Sequence, residues 1–364
     1  MPTHQKKWSM QNQNWQMDKA RYIRHTLLER IGESGQNKLL GSCIAIVGCG
    51  GLGSIAAPYL AGAGVGQLIL IDGDVPDISN LHRQVFFSEE KTQKTKSTLL
   101  AEHIKKLNSD IKVTVFNQMI SKSNIEGLLR GADIVLECTD NIQAKYLVND
   151  YCHLNTIPVS YGAIYKYDGY VSFFENANSD SIHLRDIFPI PNDDIPTCSE
   201  VGVLGTLAGL IGILQANEAI KYITNAGDML IGRLLSYDIL TNNQMKLKLK
   251  KSWPEEIAKV FNSSSYPMSV FCDVPEITLV EVLENREQYE LISILEDDEH
   301  KNIDNQVIRL PLSEFNLVEW EPTSNKAHVF YCMSGIRSSQ LVMNLIENNR
   351  NTLSLKGGLR AYLK

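Results

Sequence analysis

Residues 48–53, Gly48-Cys49-Gly50-Gly51-Leu52-Gly53, follow the apolar run Cys43-Ile44-Ala45-Ile46-Val47 and lead into SIAAPYLAGAG at 54–64. The spacing is GxGxxG between a strand pattern and a helix pattern. In that arrangement glycines turn the chain tightly and bring backbone N–H groups and a helix N-terminus up to a phosphate. A second apolar run, QLILID, ends in Asp72, where a carboxylate can accept hydrogen bonds from ribose hydroxyls. To this point a nicotinamide dinucleotide and another phosphate-bearing nucleotide are described equally well. Outward from the loop, apolar runs alternate with helical patterns: QLILID, a helix near 92–107, VTVF, a helix near 123–130, then DIVLEC. This alternation predicts a doubly wound, mostly parallel, Rossmann-like α/β sheet. YDGYVSFF and LLSYDIL add strands, some of them antiparallel.

The chain has 364 residues, 43% of them apolar, so a large domain and a smaller one are expected. Residues 1–18 read as a polar arm, 19–250 as the nucleotide domain, the polar, serine-rich stretch 251–268 as a linker, and 269–364 as a small α/β domain. Residues 19–40 read as one helix followed by a glycine-containing turn into the first strand. The window 201–216, VGVLGTLAGLIGILQA, reads as a buried helix too short to span a bilayer. With no signal-peptide pattern, a soluble cytoplasmic protein is expected, without membrane association. A net charge of −7 provides no footprint for nucleic acid. Seven cysteines without a CxxC pair are expected to be reduced thiols.

The residues between 72 and 96 decide the nucleotide. DGDVPDISNLHRQVFFSEEKTQKTK places Asn80, Arg83, Gln84 and Lys96 just after the ribose position, more positive charge and hydrogen-bonding capacity than a dinucleotide's diphosphate needs and well suited to a triphosphate. Together GCGGLGS, IDGD, SNLHRQ, the lysine before the next helix and CTDN at 138–141 resemble the adenylating enzymes that activate ubiquitin-like proteins, in particular the bacterial MoeB/ThiF/HesA type. The resemblance covers about residues 19–250. It implies that ATP activates the C-terminal glycine of a ubiquitin-like sulfur carrier ending in Gly-Gly, as an acyl-adenylate. Gly51 would lie under the phosphates in a loop shaped by Gly48, Gly50 and Gly53, and Asp72 would hold the ribose, with Asp74 beside it. Asn80, Arg83, Gln84 and Lys96 would contact the phosphates. Asp140, followed by Asn141, would help position Mg²⁺. Arg24 matches an arginine that reaches into a neighbouring subunit's site, which implies a homodimer. The plainer alternatives are surface charges at Arg24, Arg83 and Lys96, and a helix cap at Asp140.

The stretch PTCSEVGVLG resembles the same family's loop in which a cysteine can contact the carrier covalently, and so makes Cys198 a candidate. Its acidic neighbours Asp193, Asp194 and Glu200 disfavour a thiolate there. Many relatives carry two CxxC pairs that bind a structural zinc; at those places this chain reads HLRDIFPIP and KLKLKKSWPEE. His183 and Asp186 alone cannot complete a tetrahedral site, so no zinc is expected, and packing alone is expected to hold the loop around Cys198.

Toward the C-terminus, HVFYC, CMSGIRSS, the helical QLVMNLIENN and SLKGGLRAYL resemble a rhodanese domain, with Cys332, Gly335 and Arg337 matching its active loop. Backbone N–H groups wrapped around a sulfur at a helix N-terminus support a persulfide. The chain departs from that pattern at LISILEDDEH, which replaces an Asp-Val-Arg triplet, and at NQVIRLPL. The resulting expectation is a fused adenylyltransferase and sulfurtransferase of molybdopterin or thiamine biosynthesis. A persulfide on Cys332, loaded by a donor such as a cysteine desulfurase, attacks the acyl-adenylate and releases AMP, and Cys198 is a candidate for reductive release. Two alternatives stand beside it: a carrier-binding module with a degenerate second domain, and an NAD(P)-dependent oxidoreductase.

Overall fold

In the computed structural model, the described residues are 19–90, 92–191, 202–266, 274–296, 299, 306–317, 320–322, 324–333, 335–347 and 350–362. They fall into two compact units. The 1–18 arm and Cys198 lie outside the described residues.

The first unit is built on an eight-stranded sheet. Its strands are β1 (Cys43–Val47), β2 (Gln67–Ile71), β3 (Lys112–Phe116), β4 (Ile134–Glu137), β5 (Val159–Tyr165), β6 (Asp168–Phe174), β7 (Arg233–Asp238) and β8 (Asn243–Lys248). The order β3-β2-β1-β4-β5 is parallel throughout, and β6, β7 and β8 continue antiparallel. The doubly wound sheet expected from the alternating runs is therefore present, with an antiparallel extension. Because the chain winds outward from β1 through β2 to β3 and then returns to β4 on the other side of β1, the strand order reverses between β1 and β4. The carboxyl ends of strands flanking such a reversal are the usual ligand position in an open α/β sheet.

β1 is buried at every residue, as a central strand covered on both faces must be. Ile44, Ile46, Leu68, Leu70 and Leu136 form one contiguous core with Leu207, Ala208 and Ile211 of the helix Gly205–Thr224. That helix includes most of the apolar window at 201–216. It packs close because its glycines allow it: a Cβ on Gly212 would lie 2.5 Å from the Leu52 carbonyl oxygen.

Two local readings need correction. Residues 19–40 form two helices, Lys19–Thr26 and Gly32–Leu40, where one helix and a turn were expected. Tertiary contact overrides the glycines' turn preference: Gly35 faces Thr224 (Cβ to Cγ2 3.4 Å), and buried Gln36 donates to the Ala63 carbonyl at 2.9 Å. The stretch read as a linker belongs, over 251–266, to the first unit. It contains the helix Ile257–Ser263, Phe261 packs on Tyr151, and Lys122 Nζ donates to the Asn262 and Ser264 carbonyls.

The second unit is a five-stranded parallel sheet of β9 (Glu276–Ile277), β10 (Tyr289–Ser293), β11 (Ile308–Arg309), β12 (Ala327–Tyr331) and β13 (Thr352–Leu355), ordered β11-β10-β12-β13-β9. Leu291, Val329, Phe330 and Leu345 are at its core. Thr278 and Glu281 form a capping box on the helix Leu279–Glu284. The central strand β12 delivers Cys332 at its carboxyl end, and the helix Ile336–Glu347 follows.

Candidate functional site

The glycine loop closes on itself at the carboxyl end of β1. Gly48 has φ +91°, and a Cβ there would lie 2.8 Å from the Cys138 carbonyl oxygen; one on Gly53 would lie 2.0 Å from the Gly48 oxygen. Neither position accepts a side chain. The two inner glycines face the predicted phosphate ligands: a Cβ on Gly50 would sit 3.2 Å from Gln84 Nε2, and one on Gly51 3.7 Å from Arg83 Cδ. The structure thus brings together the glycine loop, Arg83 and Gln84.

Asp72 lies at the carboxyl end of β2, 8% exposed. Cys49 N–H in the glycine loop donates to its Oδ2 at 2.7 Å and Asp74 N–H to its Oδ1 at 2.8 Å. Burial raises its pKa, opposed by Lys96 and by these two amides. The same carboxylate therefore fixes the glycine loop to the carboxyl end of β2. Ser97 Oγ secures it from below through the Asp72 carbonyl at 2.7 Å.

Lys96 opens the helix Lys96–Leu107, capped by Thr95. Its backbone N–H donates to the Asp74 carbonyl at 2.7 Å, and its Nζ pairs with Asp74 Oδ2 at 3.0 Å. The lysine side chain is 8% exposed and the aspartate 57%, so the lysine's alternative reading as a surface charge falls away. Arg83 Nη2 donates to Asn80 Oδ1 at 2.6 Å, on a turn capped by Asp77. Gln84 is buried, and its Oε1 has no partner among the described residues.

Asn141 caps the helix Ile142–Leu154, its Oδ1 accepting from Ala144 N–H at 2.9 Å. The cap is therefore Asn141 and not Asp140, which is exposed and whose carboxylate makes none of the hydrogen bonds or ion pairs found among the described residues. Arg24 is exposed on its helix, and none of the hydrogen bonds among the described residues joins it to the glycine loop.

The sequence reading missed a buried pair directly below CTDN. Lys145 Nζ meets Glu137 Oε2 at 2.5 Å and the Gly162 carbonyl at 3.0 Å, while Thr139 N–H donates to Glu137 Oε1 at 2.9 Å. Gln215 Nε2 completes the tie to the Glu137 and Ser160 carbonyls. The only sequence signal was an acidic residue ending an otherwise apolar strand. No group of three or more His, Cys, Asp or Glu among the described residues is arranged to hold a metal ion.

In the second unit, Gly335 N–H donates to Cys332 Sγ at 3.1 Å, and Ser338 Oγ lies 3.7 Å from it. Gly335 has φ +87°, and its missing Cβ admits Gly358 N at 3.1 Å. The glycines of SLKGGLRAYL thus back the loop, and Leu359 N–H donates to the Cys332 carbonyl at 2.9 Å. Cys332 itself is fully buried. Arg337 makes a two-pronged pair with Glu299, at 2.7 and 2.8 Å, and this arginine lowers the Glu299 pKa. Glu299, within LEDDEH, was not anticipated.

The ThiF family matches residues 22–256, well over half of the chain. The chain belongs to the ThiF family. A SAMP-activating enzyme E1 of Haloferax volcanii is 39% identical over 60% of this ThiF-family chain and 81% of its own length. A probable adenylyltransferase/sulfurtransferase MoeZ of Mycobacterium tuberculosis is 30% identical over 95% of this chain and 93% of its own. The likeness to MoeZ therefore runs through both units. Among solved structures, E. coli MccB with MccA-N7isoASN matches with a TM-score of 0.56 over 64% of this chain and 73% of that one, at 22% identity, a likeness of fold. No helix among the described residues is long and apolar enough to cross a membrane.

Proposed function

We propose that this ThiF-family chain adenylates the C-terminal glycine of a ubiquitin-like sulfur carrier ending in Gly-Gly. A carboxylate oxygen of that glycine attacks the α-phosphorus of ATP, the bond to the β-phosphate bridge breaks, and pyrophosphate leaves. The observation that carries this reading is the grouping of Arg83 and Gln84 over the inner glycines, with Lys96 and Asp72 tied to the same loop through Asp74 and Cys49. Bringing an anionic nucleophile to a triphosphate is the main electrostatic obstacle. Fixed cations lower it by meeting charge that develops at phosphorus. Asp140 is the side chain suited to orient Mg²⁺, which would neutralise phosphate charge when bound. A homodimer would bring Arg24 to a neighbouring site.

A persulfide on Cys332, loaded by a donor such as a cysteine desulfurase, then attacks the acyl carbon and expels AMP. An external thiol reduces the resulting acyl disulfide to a thiocarboxylate, as molybdopterin or thiamine biosynthesis requires. The names of the relatives support both activities. A second reading, a carrier-binding module with a silent second unit, draws on the burial of Cys332 and the engagement of Arg337 by Glu299. Carrier-dependent exchange of labelled pyrophosphate into ATP tests the first step, and its absence with molybdopterin-type and thiamine-type carriers alike would refute it. Thiocarboxylate formation that survives Cys332→Ala would refute the second.

A further inference from the structure

Asp186 lies in the turn Leu184–Asp186 with its side chain wholly buried. Its Oδ1 accepts from Ser252 N–H at 2.7 Å and Trp253 N–H at 2.8 Å, and its Oδ2 accepts from His183 N–H at 3.0 Å. Ser252 Oγ returns a bond to the Asp186 carbonyl at 3.0 Å, and Lys251 Nζ stands 3.6 Å from Oδ2. One residue earlier, Arg185 donates to both oxygens of Asp150, at 3.0 and 2.7 Å, and to the Pro189 carbonyl at 3.1 Å. Its guanidinium lies over the rings of Tyr146 and Trp253. Tyr266 closes the far end, donating to Asp150 Oδ2 at 2.5 Å.

We propose that these two carboxylates, Asp186 and Asp150, form a metal-free clasp that fastens residues 251–266 to the body of the first unit. The clasp takes the place of the structural zinc implied by the family resemblance. HLRD and KKSW are the two stretches where the CxxC pairs were missing, and here they meet through hydrogen bonds. The residues present do not fit a zinc ion. Asp186's oxygens are already taken by three amide donors and face an ammonium group, and His183 Nδ1 accepts from Arg185 N–H. Among the described residues the ligand-type atom of this cluster left without a hydrogen-bond partner is His183 Nε2, with the His153 ring edge-on beside it and the cations Lys251 and Arg185 nearby. A further cation would be repelled. The segment leading to position 191 is thus held by charge and directed hydrogen bonds, while the loop around Cys198, for which packing alone was expected, lies outside the described residues. The clasp does not depend on which chemistry the chain performs.

The test uses the full-length chain. Metal analysis should find far less than one zinc per chain, and excess EDTA or 1,10-phenanthroline should leave the thermal midpoint and the amide-exchange protection of 249–256 unchanged. Asp186→Ala should speed tryptic cleavage after Lys250, Lys251 and Lys259 at least tenfold. Stoichiometric zinc, or chelator-induced loss of that protection, would overturn the proposal. So would fast exchange at Ser252 and Trp253 in the unmodified protein, a measurement that stands even if the variant fails to fold.

Discussion

Replacing His183 with Asn should change how the protein's stability responds to acid. In the native first unit burial pushes the His183 pKa down to about 3, with Lys251 and His153 adding to the effect and Asp186 opposing it. An exposed histidine in the unfolded chain titrates near about 6.5. Above that value both states are neutral and the group contributes no pH dependence. As pH falls below it the unfolded chain binds a proton that the native chain refuses, so stability declines until the native value is reached. Between pH 7 and pH 4.5 this single ring should cost roughly 2 to 3 kcal/mol, at ~1.36 kcal/mol per pH unit for one proton. Asn retains a cap oxygen for Arg185 N–H and has no ring to protonate. The variant should therefore be less stable at pH 7, and the gap should close by roughly 2 to 3 kcal/mol at pH 4.5. Urea titrations followed by circular dichroism at the two pH values measure that gap. A gap that stays constant would show that His183 accepts a proton in the folded state, and the reasoning would fail.

Three further outcomes are expected. Lys96→Met should raise the KM for ATP in pyrophosphate exchange by roughly one to two orders of magnitude, since a charge-assisted bond to phosphate is worth about 1.5–3 kcal/mol; an unchanged KM would remove Lys96 from the site. Gly53→Ala should abolish nucleotide-induced thermal stabilisation, because the new methyl would collide with the Gly48 carbonyl oxygen, and retained stabilisation would show that the loop can reshape. Asn141→Ala should lower stability by about 1 kcal/mol through loss of the helix cap, whereas Asp140→Ala should leave stability within about 0.5 kcal/mol and weaken Mg²⁺-dependent exchange. Equal stability losses in the two variants would place the cap at the wrong residue.

Much of the first unit was legible because its signals are local. CIAIV and QLILID are continuous apolar runs that only a doubly covered strand requires, and the glycine spacing between them has one steric solution. Arg83, Gln84 and Lys96 could be placed because each lies a few residues from a strand end or helix start. What escaped was non-local. The two glycines in residues 32–35 looked like a turn until Thr224, almost two hundred residues away, supplied a helix face that needs a small neighbour. The stretch 251–266 looked like a linker because its polar residues outnumber its apolar ones. Its attachment comes from the amides of Ser252 and Trp253 and the hydroxyl of Tyr266, which find carboxylates that nothing in their own neighbourhood announces. Glu299 with Arg337 escaped for the same reason.

The resting partnership of Lys96 with Asp74 bears on how a ligand gains entry. The ammonium group is already paired, so on the proposed reading of Lys96 as a phosphate ligand an arriving polyphosphate would have to evict a resident carboxylate and not merely approach an open charge. On that reading a nucleotide whose tail is too short to reach the lysine would forgo that trade, and the site would rank nucleotides by the length of their phosphate chain without a dedicated wall to exclude the shorter ones.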